Sequence, residues 1–245
     1  MNIPTSIVST QFGQMIVLDT DQNQADSLRG VREPNRDNLA IRRLRAKIEQ
    51  IKNPVFLDIG GCMGVYTMAL SPTVEERGGK VYCFEAQRIL ANCIAGSIAL
   101  NGFEQVRCLN KAVGNPTSHN SKIDLPTFDY KTSMNFGSVE FGEEQKETLS
   151  QERDYQSKPE KVDLISLDSY IDEFGKVDVI KMDIEGMEEQ ALQGATQIIN
   201  TFHPLVYVEW IKSDKQKLQD FFKEMGYARY DCPSRDRGNL WCEMA

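Results

Sequence analysis

The chain has 245 residues, 40% apolar and 26% charged, with 17 Gly and 9 Pro, a globular composition that excludes collagenous, coiled-coil and disordered classes. A formal net charge of −8 argues against a broad phosphate-binding surface, so no nucleic-acid partner is expected. No stretch approaches the roughly 18 apolar residues that cross a bilayer, and the start MNIPTSIVST lacks a basic-then-apolar secretory pattern, so the expectation is a cytoplasmic protein with no membrane partner.

Residues 1–53 precede the first sheet strand and are expected to pack on the core as an extension. Within them QFGQMIVLD reads as a small strand. LAIRRLRAKIEQI reads as a helix with Leu44, Ile48 and Ile51 on one face and Arg42, Arg43, Arg45 and Lys47 on a solvated one. From 54 to 245 short β-rich runs alternate with helical spacing. The runs are VFLDI (55–59), KVYCFE (80–85), QVRCLN (105–110), VDVIKMD (177–183) and PLVYVEW (204–210). Segments near 64–71, 88–101, 187–200 and 214–225 read as helices. This rhythm predicts βαβ units and a parallel sheet covered on both faces. YARYDC (227–232) and NLWCEM (239–244), joined by PSRDRG, predict a terminal antiparallel hairpin at the sheet edge.

Residues 115–160 break the rhythm and are too long for a connecting loop. They are expected to form an insert after the third strand, with strands at KIDLP and SMNFGSVEF, then a charged surface excursion EEQKETLSQERDYQSKPEK. Leaving the sheet there, the insert can fold over the open side of the site as an acceptor-binding lid. Asn135 and Phe136 mix amide and aromatic character, as sugar-binding loops do, and are candidate substrate contacts. The six Cys form no CxxC pair and read as buried hydrophobes in a reducing cytosol. His119 reads as a surface residue and His203 as structural.

The sharpest signal is Asp58-Ile-Gly60-Gly61-Cys62-Met63-Gly64, after a strand and before a helix. Such glycines let the chain turn tightly beside a ligand, and the helix that follows points its first amides at an anionic group. Glu85 closes the next strand, 21 residues after Gly64, where a carboxylate can accept both hydroxyls of a ribose. Loop and acid together point to an adenosine-type cofactor across the carboxyl ends of the first two strands. The glycine spacing fits G-x-G-x-x-G poorly, and Asp58 would sit unfavourably beside a pyrophosphate. Beside a sulfonium cofactor the same carboxylate is favourable. Ala86 and Gln87 are placed to line an adenine, and the Lys111-Ala112-Val113 stretch to close its other face. Tyr66 and Thr67 begin the first helix and are candidates for the cofactor's amino-acid end.

The stretches VFLDIGGCMGVYT, VYCFEAQ, LNKAVGN, VDVIKMDIEGMEEQALQGA and PLVYVEW resemble the FkbM family of S-adenosylmethionine-dependent methyltransferases, most specifically at IKMDIEGMEEQALQGA (180–195). The resemblance implies a class I methyltransferase fold: α/β, Rossmann-like, with a seven-stranded mostly parallel sheet and an antiparallel last strand. It implies S-adenosylmethionine as cofactor, held by Asp58, Gly60, Gly64 and Glu85, with Ala112 approaching the adenine; Gly61 of the same loop is a further candidate cofactor contact. It also implies methylation of an oxygen, often on a sugar or natural-product hydroxyl. Cys62 stands where the family usually has Asn.

On this reading Asp183 lies where the fourth strand meets the cleft, at the carboxyl edge where α/β ligands bind. Glu185 follows in the turn, and Glu209 closes the fifth strand by the same logic. The three acids would converge on the cofactor's methyl end, with Asp183 or Glu209 as base, and Trp210 could wall the acceptor pocket. The acids could alternatively hold a magnesium or calcium ion; the spacing does not decide this, and no metal is assigned. The expected partner is a small-molecule or saccharide acceptor, the chain being a monomer or homodimer. The rival readings are an NAD(P)-dependent oxidoreductase and a catalytically inactive S-adenosylmethionine-binding protein.

Overall fold

A computed structural model describes residues 2–30, 37–118, 120–140, 148–152, 154, 159–231 and 238–244. His119, Cys232, most of the turn before the last strand and much of the charged stretch 143–161 lie outside them. None of the five described cysteines is in a disulfide.

The front of the chain forms a hairpin, β1 (Thr5–Thr10) and β2 (Gly13–Leu18), then α1 (Gln22–Leu28) and α2 (Asp37–Ile48). Only the second of these strands was legible in the sequence. The alternating unit follows as β3 (Val55–Ile59), α3 (Val65–Glu76), β4 (Lys80–Phe84), α4 (Arg88–Asn101) and β5 (Val106–Leu109). After β6 (Ala112–Val113), β7 (Lys122–Leu125) and β8 (Glu160–Ile165), a 3-10 turn (Leu167–Tyr170) leads into α5 (Ile171–Phe174). The chain closes with β9 (Val179–Met182), α6 (Glu188–Gln193), α7 (Thr196–Phe202), β10 (Leu205–Glu209), α8 (Lys215–Glu224), β11 (Arg229–Asp231) and β12 (Asn239–Glu243).

Seven strands make one sheet in the order β11-β12-β10-β9-β3-β4-β5. β10, β9, β3, β4 and β5 run parallel, and β12 pairs antiparallel to β10. All five residues of β3 are buried, as a central strand covered on both faces requires. The order reverses at β3, so β3, β4 and β9 present their carboxyl ends around one crevice. The two faces carry separate apolar layers, one around Leu57, Ile180 and Val206, the other around Phe56, Leu70 and Ile94.

Three details differ from expectation. The span 187–200 is two helices rather than one. Asp168 accepts from the amides of Gln197 and Ile198, both at 2.9 Å, and so starts α7 as a fresh helix end. SMNFGSVEF is not a strand: it folds as a 3-10 turn at Phe136–Ser138, with the Phe136 amide taken by the Asp21 carboxylate. β8, a strand beyond those expected from the sequence, lies between β6 and β7 in a small three-stranded sheet. The N-terminal hairpin lies against α4, where Ser97 Oγ accepts from the Ile16 amide and Asn101 exchanges two hydrogen bonds with the Gln14 backbone. No helix among the described residues is long and apolar enough to cross a membrane.

Candidate active site

Five segments frame a cleft, about 530 Å³ with its open mouth included, at the carboxyl edge of the sheet. The loop after β3 contributes Gly60 and Cys62, and the end of β4 contributes Glu85, Ala86 and Gln87. The β6 region brings Lys111, Ala112 and Val113, the 3-10 turn brings Phe136, Gly137 and Val139, and the loop after β9 brings Asp183, Ile184 and Glu185.

Gly60 turns at φ 82°, and a Cβ there would meet the Asp183 carbonyl oxygen at 1.8 Å. Only glycine lets the two loops approach so closely. Cys62 adopts φ 51° without being glycine; its amide is held by Glu85 Oε2 at 2.8 Å. Glu85 Oε1 accepts from the Gln87 amide, also at 2.8 Å. Each carboxylate oxygen carries a second lone pair, leaving two acceptor positions for a diol. Burial raises the Glu85 carboxyl to about 7, against the opposing pull of those two amides. Asn110 fixes the turn beneath by donating to the Glu85 and Ala86 carbonyls at 2.9 and 2.8 Å.

At the other end of the cleft Asp183, Glu185 and Glu209 each place a carboxylate oxygen within 4.8 Å of the others. Two buried lysines offset this charge. Lys181 Nζ lies 3.5 Å from Asp58 and 3.9 Å from Asp183. Lys212 pairs with Glu185 and lies 3.9 Å from Glu140. Burial, then Asp183, Glu185 and Glu188, push the Glu209 carboxyl up to about 9. Asp183 Oδ1 is shielded from solvent and has no hydrogen-bond partner among the described residues. Glu188 shapes the turn, accepting from the Ile184 amide at 2.9 Å and the Gly186 amide at 3.1 Å. Glu188, and not Glu185, thus takes the amides at this turn.

Of the sequence-derived candidates, Gly60, Glu85, Ala86, Ala112, Phe136, Asp183 and Glu185 line the cleft, and Glu209 stands beside the last two. Asp58 does not open into it. It is wholly buried, and its Oδ2 accepts from the Thr67 amide and hydroxyl at 3.0 and 2.7 Å. Thr67 is therefore the partner of Asp58 at the start of α3. Tyr66 packs against Tyr207 with Lys181 over its ring. Gly61 is set by a close approach, since a Cβ would meet Cys83 Sγ at 2.4 Å, and Gly64 ends the loop at φ 80°. Asn135 turns inward to Ser138 Oγ at 2.8 Å. Trp210 lies outside the cleft wall with Lys215 Nζ 4.9 Å above its ring.

Lys181 went unassigned in the sequence, although a lysine between Ile180 and Met182 in a buried strand is itself a signal: such a charge needs partners. Lys212, Glu140 and Asp21 carried no local signal.

Residues 58–228 match the sequence profile of the methyltransferase FkbM domain. The chain belongs to the FkbM methyltransferase family. Its cofactor is accordingly S-adenosylmethionine, and the nicotinamide reading falls away. No curated protein matches the chain. Among solved structures it is similar to the methyltransferase FkbM of Methylobacillus flagellatus, with 18% identity and a TM-score of 0.52 over 78% of this chain and 44% of that one. The chain thus spans under half the length of that protein, and the likeness is one of fold. S-adenosylmethionine-dependent methyltransferases of Agrobacterium tumefaciens (10% identity, TM-score 0.48, 100% of this chain and 71% of that one) and Aquifex aeolicus (13%, 0.45, 84% and 89%) are more distant. The cleft fits this family's cofactor. Glu85 keeps two acceptor positions for a sugar diol, and the far end is acidic where a sulfonium would lie.

Proposed function

We propose that this FkbM methyltransferase moves the methyl group of S-adenosylmethionine to a hydroxyl oxygen of a saccharide or other small molecule, in the cytoplasm. The observation that carries the reading is the meeting of Asp183, Glu185 and Glu209 at one end of a cleft whose other end holds Glu85. When bound, the cofactor supplies a methyl group activated by a sulfonium. The residues must seat it, align the acceptor oxygen and take up one proton.

Glu85 would hold the ribose hydroxyls, and Ala86, Lys111 and Ala112 would line the adenine. Asp183 is the base. Its carboxylate lines the cleft and is partly exposed there, so it could take the acceptor hydroxyl's proton while the methyl exchanges its bond to sulfur for one to that oxygen. Glu209 holds its proton at neutral pH and donates a hydrogen bond to a neighbouring acceptor hydroxyl. Glu185 is charge-balanced by Lys212 and serves as a fixed wall that also favours the cofactor's positive charge. Phe136 and Val139 exclude water from the same space. Positioning of this kind can contribute roughly 7–11 kcal/mol, and a carboxylate base about 10²–10⁴-fold. The net charge of −8 supports a small acceptor over a nucleic acid.

The test is methyl transfer to a panel of polyhydroxylated acceptors, followed by release of S-adenosylhomocysteine. Asp183→Asn is expected to lower kcat by about 10²–10⁴-fold while S-adenosylhomocysteine affinity stays within about threefold. Wild-type turnover by that variant removes Asp183 as base. Transfer only to amines overturns the oxygen assignment, and tight cofactor binding with no transfer to any acceptor favours an inactive binder.

A further inference from the structure

Gln87 occupies the N-cap of α4 but makes no side-chain cap for it. Its side chain is 93% buried by the chain around it, being only 7% exposed, and it reaches away from its own helix. Nε2 donates to the Phe136 carbonyl at 2.7 Å, and Oε1 accepts from the Tyr130 hydroxyl at 3.2 Å. The Phe136 carbonyl needs a donor, which fixes the orientation of the amide. Both groups belong to the segment 130–140, and Tyr130 stacks on Phe136 with ring centroids 4.7 Å apart. The side-chain amide of Gln87 is thus engaged by this segment through one donor and one acceptor.

Its backbone amide faces the other way, to Glu85 Oε1 at 2.8 Å. One residue therefore links the sugar-facing carboxylate to the wall of the cleft that stands opposite the acids. Two other clamps hold the same wall without touching Glu85. Asp21 Oδ2 accepts from the Phe136 amide at 3.1 Å, and the Thr20 carbonyl from the Met134 amide at 3.1 Å. Lys212 lies 3.5 Å from the Ser138 carbonyl. Among the described residues the Gln87 link alone joins this wall by hydrogen bonds to the group expected to meet the ribose; Cys62, whose amide Glu85 also holds, sets its Sγ beside Gly137 without one.

We propose that Gln87 is a positioning residue that couples occupation of the ribose carboxylate to closure of the 130–140 segment, so that the acceptor pocket is completed after the cofactor has bound. This rests on the reading that Glu85 takes the ribose hydroxyls. A glutamine suits the task because its neutral amide offers one donor and one acceptor group at fixed spacing. Glutamate would set an acceptor against the Phe136 carbonyl, and an apolar residue would leave both partners unpaired in a buried space.

Hydrogen exchange on the full chain, with and without S-adenosylhomocysteine, reads this directly. The Met134, Asn135 and Phe136 amides are all hydrogen-bonded and report opening of the segment. In the wild type the ligand should slow their exchange by about tenfold or more. In Gln87→Met the ligand should still bind within about threefold, while the slowing disappears. Tyr130→Phe removes a single hydroxyl and should lose part of it, which decides the matter should Gln87→Met fail to fold. Asp21→Ala, a clamp unconnected to Glu85, should speed exchange in both states and leave their ratio unchanged. Full ligand-dependent slowing in Gln87→Met or, where that variant does not fold, in Tyr130→Phe overturns the proposal, as does none in the wild type. Unchanged S-adenosylhomocysteine affinity in Glu85→Ala would instead overturn the seat of the ribose, a separate failure.

Discussion

Lys181 reaches from β9 beneath the glycine loop and donates to the carbonyl of Gly60 at 2.7 Å. The same ammonium stands between Asp58 and Asp183 and over the ring of Tyr66. Burial alone would lower its pKa, but the two carboxylates outweigh that and raise it, so it stays charged. Truncating one member of a buried ion pair strands the other. Lys181→Met should therefore cost about 3–5 kcal/mol of unfolding free energy, measured by urea denaturation. The double variant Lys181→Met, Asp58→Asn should recover part of that loss. A double variant no more stable than the single one would show that the pair is not coupled.

On the proposed seating of the ribose, Glu85 sets the pH dependence of cofactor binding. Burial raises its carboxyl to about 7, and a ribose hydroxyl donates more strongly to the ionised form. S-adenosylhomocysteine affinity should therefore rise by up to about tenfold as pH climbs from 6 to 8. Glu85→Gln should bind with a flat profile, and Glu85→Ala more than about tenfold more weakly. Calorimetry across that pH range checks all three.

Glu209 acts on stability with the opposite sense to a salt-bridged acid. Its ordinary value is 4.5, and in the fold it lies at about 9. Between these values the folded chain holds a proton that the unfolded chain has released. Stability from this group is thus greatest below about pH 4.5 and falls as pH rises toward 9. Glu209→Gln abolishes the penalty. Its margin over wild type should be near zero at about pH 4 and should grow by about 1.4 kcal/mol for each pH unit between the two values, read from denaturation midpoints. A margin that does not change with pH would contradict the burial of the charge.

Gly60→Ala tests the contact between the two loops. The new methyl would lie 1.8 Å from the Asp183 carbonyl, at a φ that side chains seldom adopt. A cost of about 2–4 kcal/mol is expected, with S-adenosylhomocysteine binding lost. Retention of wild-type affinity would mean that the loops can separate without harm to the cofactor seat.

The sheet was legible because its strands are apolar runs ended by glycine or an acid, and the periods of the intervening helices are clear. Part of the cleft's lining was legible for the same reason: Gly60, Glu85 and Asp183 sit at strand ends, where their places follow from the topology. Asp58 was misplaced because its neighbour is set by register. It pairs across the sheet with Lys181, a residue 123 positions away in the chain, and no local pattern reveals such a pairing. The 3-10 turn at Phe136 was misread as a strand for a similar reason. Its conformation is imposed by Asp21 and Gln87, which lie outside the segment. Glu140 and Lys212 are ordinary polar residues in the sequence, and only folding brings them together.

The bond from Asp21 to the Phe136 amide joins residues 115 positions apart. The leading hairpin and its following turn are thus part of the chamber's wall. Shortening the chain at its front, a routine step when preparing protein for expression, would open the pocket far downstream while leaving all seven strands of the large sheet in place. Such a shortened protein would be judged folded by its circular dichroism and yet be defective at its catalytic end.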